Sequence, residues 1–241
     1  MTLPHWAEDT LAEATGRTGR ADPVLPGSGG PAGNARLTAW TGLVLLALFL
    51  VELATLLSLD SLLSWHVVVG VLLVPPALLK TATTGWRIIG YYTGRTTYRQ
   101  AGPPPMPLRI LGPLVVLFTL AVLGSGLALI ALGPTAGRTP FLSVLGFDVD
   151  MLTVHQGTFI AWAVVTGLHT LGRLLPALRI VGARPLVRSR VPGRITRGTV
   201  FVATLAVAGV AAAVLLAPSG PWLTDLGHHD KRHHALNAPP R

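Results

Sequence analysis

The sequence predicts an all-α integral membrane helix bundle of about five transmembrane helices, a 2+2 core with a fifth helix added. Three observations carry this. Half of the 241 residues are hydrophobic and only 12% are charged, roughly half the charge of an ordinary soluble domain. Five apolar windows reach the ~20 residues needed to cross the hydrocarbon core of a bilayer. Most of the basic residues gather in two loops between those windows. The chain also has no cysteine, which excludes a disulfide scaffold, thiolate-ligated metal and a thiol nucleophile.

Residues 1–36 carry Glu8, Asp9, Glu13 and Asp22 and no apolar run, so they do not read as a signal peptide. With glycine and proline crowded into 23–33, they read as a flexible cytoplasmic tail. The transmembrane domain, 37–224, follows. Its first window, Leu37 to Leu59, is broken only by Glu52. The second, Ser61 to Leu79, is uncharged up to Lys80; Pro75 and Pro76 inside it predict a kink whose freed carbonyls neighbouring helices satisfy. Ala101 to Pro107 is a stiff, proline-rich connector. The third window is Ile110 to Gly137, and its Gly-Ser-Gly at 124–126 suits close helix packing. Thr139 to Phe147 is too short to span and reads as lying along the outer surface. The fourth window is Met151 to Gly172. The fifth, Gly198 to Thr224, is rich in alanine and suits packing against another helix. Trp40, Trp65 and Trp222 fall near window ends, as interfacial aromatics do. Residues 225–241 form a His-rich tail.

The charges set an orientation. Lys80 to Arg109 holds five basic residues and no acid, and Arg173 to Arg197 holds seven arginines and no acid. The connections near Asp60 and at 138–150 hold one arginine and three aspartates. The two Arg-rich loops are then cytoplasmic. This places the N-terminus in the cytoplasm, the C-terminal tail outside it and the protein in the cell membrane. The net charge of +9 is thus a topology marker in contact with anionic lipid headgroups, and nucleic acid is not an expected partner.

Three of the eight histidines, His66, His155 and His169, lie inside windows. Ionisable residues there are costly and face the bundle interior. His155 and His169 are 14 residues apart, roughly 1400° of helical rotation, so they share a face about 21 Å apart along the axis. His66 and Lys80 have the same spacing. Windows two and four run in the same direction, and His66 and His155 each lie a few residues inside the start of theirs, at similar depth near the outer face. Two neutral imidazoles at one level on facing helices match the axial ligand set of one b-type haem. Gly70, one turn from His66, would let a flat macrocycle approach the backbone, and Phe159 and Trp162 below His155 would pack on it. The plainer reading is that these histidines hydrogen-bond between helices and hold no cofactor.

The stretches SWHVVVGVLLVPPALLKTATTGWRIIGYYTG, YRQAGPPPMPLRILGPLVVLFTLAVLGSG and HQGTFIAWAVVTGLHTLGR resemble the membrane cytochrome b superfamily. That group includes cytochrome b561-like proteins and the cytochrome b subunits of bacterial hydrogenases and formate dehydrogenases. The resemblance covers roughly 60–180. It implies haem b ligated by His66 and His155, exchange with quinone, and partnership with a molybdopterin oxidoreductase outside the cytoplasm. A two-haem member would carry histidine near position 80, where this chain has Lys80, so only one haem carries over. Lys80 and His169 either contact a haem propionate or a quinone, or, for Lys80, snorkel to the interface.

Glu52 is the one carboxylate inside a window, at about the depth of His66. It reads either as a proton relay or as a neutral acid bonded to a neighbouring helix. In the tail, His228, His229, His233 and His234 with Asp230 have the composition of a metal-binding tract. No phosphate-cradling loop, zinc-protease motif or nucleophile elbow is present. Two functions follow as expectations. One is an electron-transfer subunit linking the quinone pool to an extracytoplasmic oxidoreductase. The other is a cofactor-free membrane anchor, assembly factor or small permease.

Overall fold

Apolar sequence in lipid has no water to meet its backbone N–H and C=O groups, so it spans as helix. The computed structural model, which describes residues 3–15, 30–99, 105–182 and 193–225, is correspondingly helical. In order, the elements are α1 (His5–Ala14), α2 (Gly30–Thr55), a 3₁₀ turn (Leu56–Ser58), α3 (Leu59–Tyr92), α4 (Thr96–Arg99), α5 (Met106–Gly137), β1 (Leu142–Val144), β2 (Phe147–Val149), α6 (Met151–Gly182) and α7 (Arg194–Leu216).

Four continuous stretches are long and apolar enough to cross a membrane: Ala32–Tyr92, Met106–Gly137, Met151–Gly182 and Arg194–Leu216. The first has 61 residues. Straight, it would run about 90 Å, three times the hydrocarbon thickness. Instead it doubles back at the 3₁₀ turn, and α2 packs antiparallel on α3. The cross-bonds fix the register: Thr55 Oγ1 to His66 Nδ1 at 3.1 Å, Lys80 Nζ to the Thr38 carbonyl at 3.4 Å, and Asn34 Nδ2 to the Thr83 carbonyl at 2.9 Å. α5 and α6 form a second antiparallel pair, α2 also touches α6, and α3 touches α5. α7 lies along α3, with Ala208 and Ala212 buried, so the alanine face of the fifth helix finds its partner within the chain. At the centre Leu45, Leu73 and Ala77 are buried, with Leu48, Phe49 and Leu123 packed on them.

Two features depart from the expected outline. The stretch 1–36 is not all tail: α1 docks on α6 and α5, and α2 begins at Gly30. The buried Glu13 carboxylate meets Arg173 Nη1 at 2.9 Å, and Arg179 donates to the Thr15 carbonyl at 3.2 Å. The two arginines nearest the end of the fourth window thus hold the N-terminal helix. The connection between α5 and α6 is a small antiparallel hairpin, β1 paired with β2.

α5 breaks at Gly133, whose φ of 72° is left-handed, and Pro134 follows it. Proline lacks the N–H that would meet the Ile130 carbonyl, and the break lies four residues past the Leu129 carbonyl. The Trp222 indole N–H, beyond α7, donates to that carbonyl at 2.8 Å. Arg138 stacks over the same indole at 4.9 Å and pairs with Asp225. Trp222 is therefore turned inward as part of a lock, while Trp40 and Trp65 are exposed near opposite ends of the bundle.

Candidate functional site

Near the hairpin end of the bundle, α2, α3, α5 and α6 bring their buried polar groups together. His66 and His155 face each other with ring centroids 6.3 Å apart and planes at 81°. His66 Nδ1 lies 3.0 Å from Glu52 Oε1 and 3.1 Å from Thr55 Oγ1. Thr55 has one hydroxyl proton, and it is donated to the Glu52 carbonyl at 2.6 Å. Both of these polar contacts of His66 are made at Nδ1. His155 repeats the arrangement. Ser125 Oγ donates to the Val122 carbonyl at 3.1 Å and sits 3.0 Å from His155 Nδ1. Thr158 Oγ1 donates to the His155 carbonyl at 3.0 Å and lies 3.5 Å from Ser125 Oγ. Among the described residues no hydrogen bond reaches either Nε2. An imidazole whose far nitrogen donates to an acceptor, fixing tautomer and orientation, is how metal-ligating histidines are held.

The spacing suits a metal between the rings. Each metal–nitrogen bond needs about 2.0–2.1 Å, and the half-widths of the two rings make up the rest of the 6.3 Å. Among the described residues no group of three histidine or carboxylate side chains could hold an ion. Two protein ligands fall short of the four that zinc takes. Two axial histidines are the protein ligand set that a haem takes, its macrocycle supplying the remaining nitrogens.

Two glycines shape the pocket. A Cβ at Gly70 would lie 3.3 Å from Glu52 Oε1, so the bare Gly70 backbone leaves room for that carboxylate. A Cβ at Gly126 would lie 3.1 Å from His155 Cε1. Gly126 and Ser125, read from sequence as a helix-packing motif, thus seat the second histidine. Thr55, Ser125 and Gly126 are not legible as site residues in the sequence; the Gly-Ser-Gly at 124–126 is a signal for the last two alone. Phe159 and Trp162 pack on one another below His155, and Trp162 also packs on Phe49, 4.5 Å between centroids, and donates to Thr119 Oγ1 at 3.1 Å.

Lys80 and His169 lie about 21 Å from this pair along their helices, 14 residues at 1.5 Å each, toward the Arg-rich end. Lys80 crosses to α2, where its ammonium packs against Gly42 and reaches the Thr38 carbonyl. His169 Nδ1 and Thr166 Oγ1 are buried without hydrogen-bond partners. Arg173 acts electrostatically on both Lys80 and His169. His228, His229, Asp230, His233 and His234 lie outside the described residues. No family model, curated protein or solved structure matches the chain.

Proposed function

We propose that this protein is a membrane b-type cytochrome-like electron-transfer subunit, linking the quinone pool to an oxidoreductase partner outside the cytoplasm. The observation that carries the reading is the His66–His155 pair, ring centroids 6.3 Å apart, each ring meeting its polar neighbours at Nδ1. Haem bound there supplies one-electron transfer at a potential set by its ligands and surroundings. The chain does the rest. Glu52 and Thr55 hold one imidazole and Ser125 the other, and Gly70 and Gly126 make room for these contacts. The apolar helix faces around them keep water from the site. Arg-rich loops favour the cytoplasmic side, which puts the paired histidines near the outer face, where an extracytoplasmic partner docks. Lys80, with the unpartnered His169 and Thr166, supplies the polar groups that a quinone oxygen would meet at the other end. On this reading the substrate chemistry belongs to the partner.

The test is direct. Purified from a haem-replete host, the protein should carry one haem b per chain by pyridine haemochrome spectrum, and His66→Ala or His155→Ala should each abolish it. Haem-free protein from that host refutes the reading and leaves a cofactor-free membrane anchor, assembly factor or small permease. Under that alternative the two histidines only tie helices together, and both alanine variants keep the fold.

A further inference from the structure

The hairpin between α5 and α6 is two-faced. Its register pairs Leu142 with Val149, Ser143 with Asp148, and Val144 with Phe147. Opposed residues share a face and neighbours alternate. Leu142, Val144, Phe147 and Val149 therefore form one wholly apolar face. Ser143 and Asp148, joined by a hydrogen bond, form the other. At the tip Leu145 and Gly146 both have positive φ, 53° and 83°, the geometry of a two-residue hairpin turn that favours Asn-Gly. A leucine in the left-handed region is strained, yet Leu145 touches almost nothing: it is 94% exposed, and Phe147 is 75% exposed. Strain held at an exposed apolar tip is a reason to look for what the tip meets.

The location says what that is. β1 starts five residues after the end of α5, and α6 begins two residues after β2, so the hairpin is tethered on both sides to helices apolar enough to cross a bilayer. Each strand has three residues, about 10 Å at the rise of a strand. That is the depth, about 5–10 Å, to which amphipathic elements bury an apolar face at the headgroup–acyl boundary. The lipid-facing side of α5 leads toward the hairpin through the exposed Leu132 and then Phe141. The nearby charges all point elsewhere. Arg138 is tied to Asp225 and Trp222, Asp148 lies on the polar face, and Asp150 bonds Thr153 at the start of α6.

We propose that the β1–β2 hairpin is a membrane-seated finger. Its apolar face and the Leu145 tip lie in the headgroup–acyl boundary of the leaflet on that side, with Ser143 and Asp148 toward water. The occupant is the lipid surface itself, and the proposal stands whether or not the histidine pair holds haem.

The absence of cysteine makes the test clean. Single variants Ser143→Cys, Leu145→Cys and Phe147→Cys of the full chain are labelled with a nitroxide and reconstituted in phosphatidylcholine nanodiscs without any other protein. Labels at 145 and 147 should favour collision with oxygen over a water-soluble nickel chelate, and the label at 143 should show the reverse. Adding Leu145→Asn, a residue the turn prefers, should raise nickel access to the label at 147. Equal nickel access at all three sites overturns the proposal. So does protection of 145 and 147 only after a soluble protein is added, which would make the face a protein interface. No response to Leu145→Asn would overturn the role of the tip.

Discussion

Replacing Ser125 with alanine should loosen haem about tenfold and leave the fold intact. Ser125 is buried, accepts from His155 Nδ1 at 3.0 Å and donates to the Val122 carbonyl at 3.1 Å. The substitution removes one oxygen and leaves the Nδ1 proton without its hydroxyl acceptor. A buried donor left unmet costs about 1–3 kcal/mol, which is roughly 5- to 150-fold in an equilibrium constant. Losing an outer partner of a ligating histidine costs about 10–100-fold in metal affinity, so the two estimates meet near tenfold. The assay is haem transfer from the detergent-solubilised protein to excess apomyoglobin, with helix content followed by circular dichroism. Leu117→Ala, on the exposed side of the same helix, should transfer haem as the parent does. If Ser125→Ala also transfers haem at the parent's rate, Ser125 does not orient His155 and the reading of the site is wrong.

Three further substitutions test other parts of the structure. Glu52 Oε2 is buried without a partner, a cost of about 1–3 kcal/mol, so Glu52→Leu should raise the melting temperature of the haem-free protein while weakening haem retention; a fall in both would show that the carboxylate is structural. Asp150 is held below the ordinary aspartate range by the Thr153 backbone N–H and then the Thr153 hydroxyl, each bond 2.7 Å. Asp150→Ala should therefore cost at most about 1 kcal/mol of helix-cap stability. Because the folded state lowers that pKa, the difference between parent and variant should be constant at neutral pH and shrink as pH falls below about 4, which melting curves across pH would reveal. Trp222→Phe keeps the ring under Arg138 but removes the donor to the Leu129 carbonyl, so it should cost about 1 kcal/mol and speed amide exchange around the Gly133 break; unchanged exchange would mean the break needs no such lock.

The helices were legible because lipid imposes one rule on every residue of a span. A window without charge must be helix and must be long, and nothing distant changes that. The facing of His66 and His155 was legible for a related reason: residue count from a span end gives depth, and two spans in the same direction share a depth scale. What holds the histidines was not legible. A lone serine or threonine in an apolar helix commonly bonds its own turn's backbone, as Ser125 does with Val122, and only the facing of α5 on α6 gives it a second task. Gly70 was assigned to a macrocycle because Glu52 lies on another helix, and the register of the α2–α3 turn decides which of the two fills the space. α1 was read as tail because Glu13 and Arg173 are 160 residues apart, beyond any periodicity. The hairpin escaped because its turn is Leu-Gly where the recognisable signal is Asn-Gly or Asp-Gly.

The polar groups inside the bundle lie at two levels, and the contrast between them separates a site from a set of staples. Between the levels lie Leu45, Leu73 and Ala77, with Phe49 against Trp162. At the Arg-rich level Lys80 reaches only a backbone carbonyl, and His169 and Thr166 hold buried atoms without partners. At the hairpin level each hydroxyl is satisfied, and each imidazole bonds through Nδ1 alone. Neither Nε2 of the pair is among the buried atoms left without a partner, so each stays accessible at the site. Here two neighbouring histidines each leave the same nitrogen unbonded, at a ring spacing of 6.3 Å. One missing bond is an accident of packing. Two accessible nitrogens on adjacent rings are what the proposed shared haem would take up, and so Ser125→Ala and Glu52→Leu should act on haem retention through different histidines and add when combined.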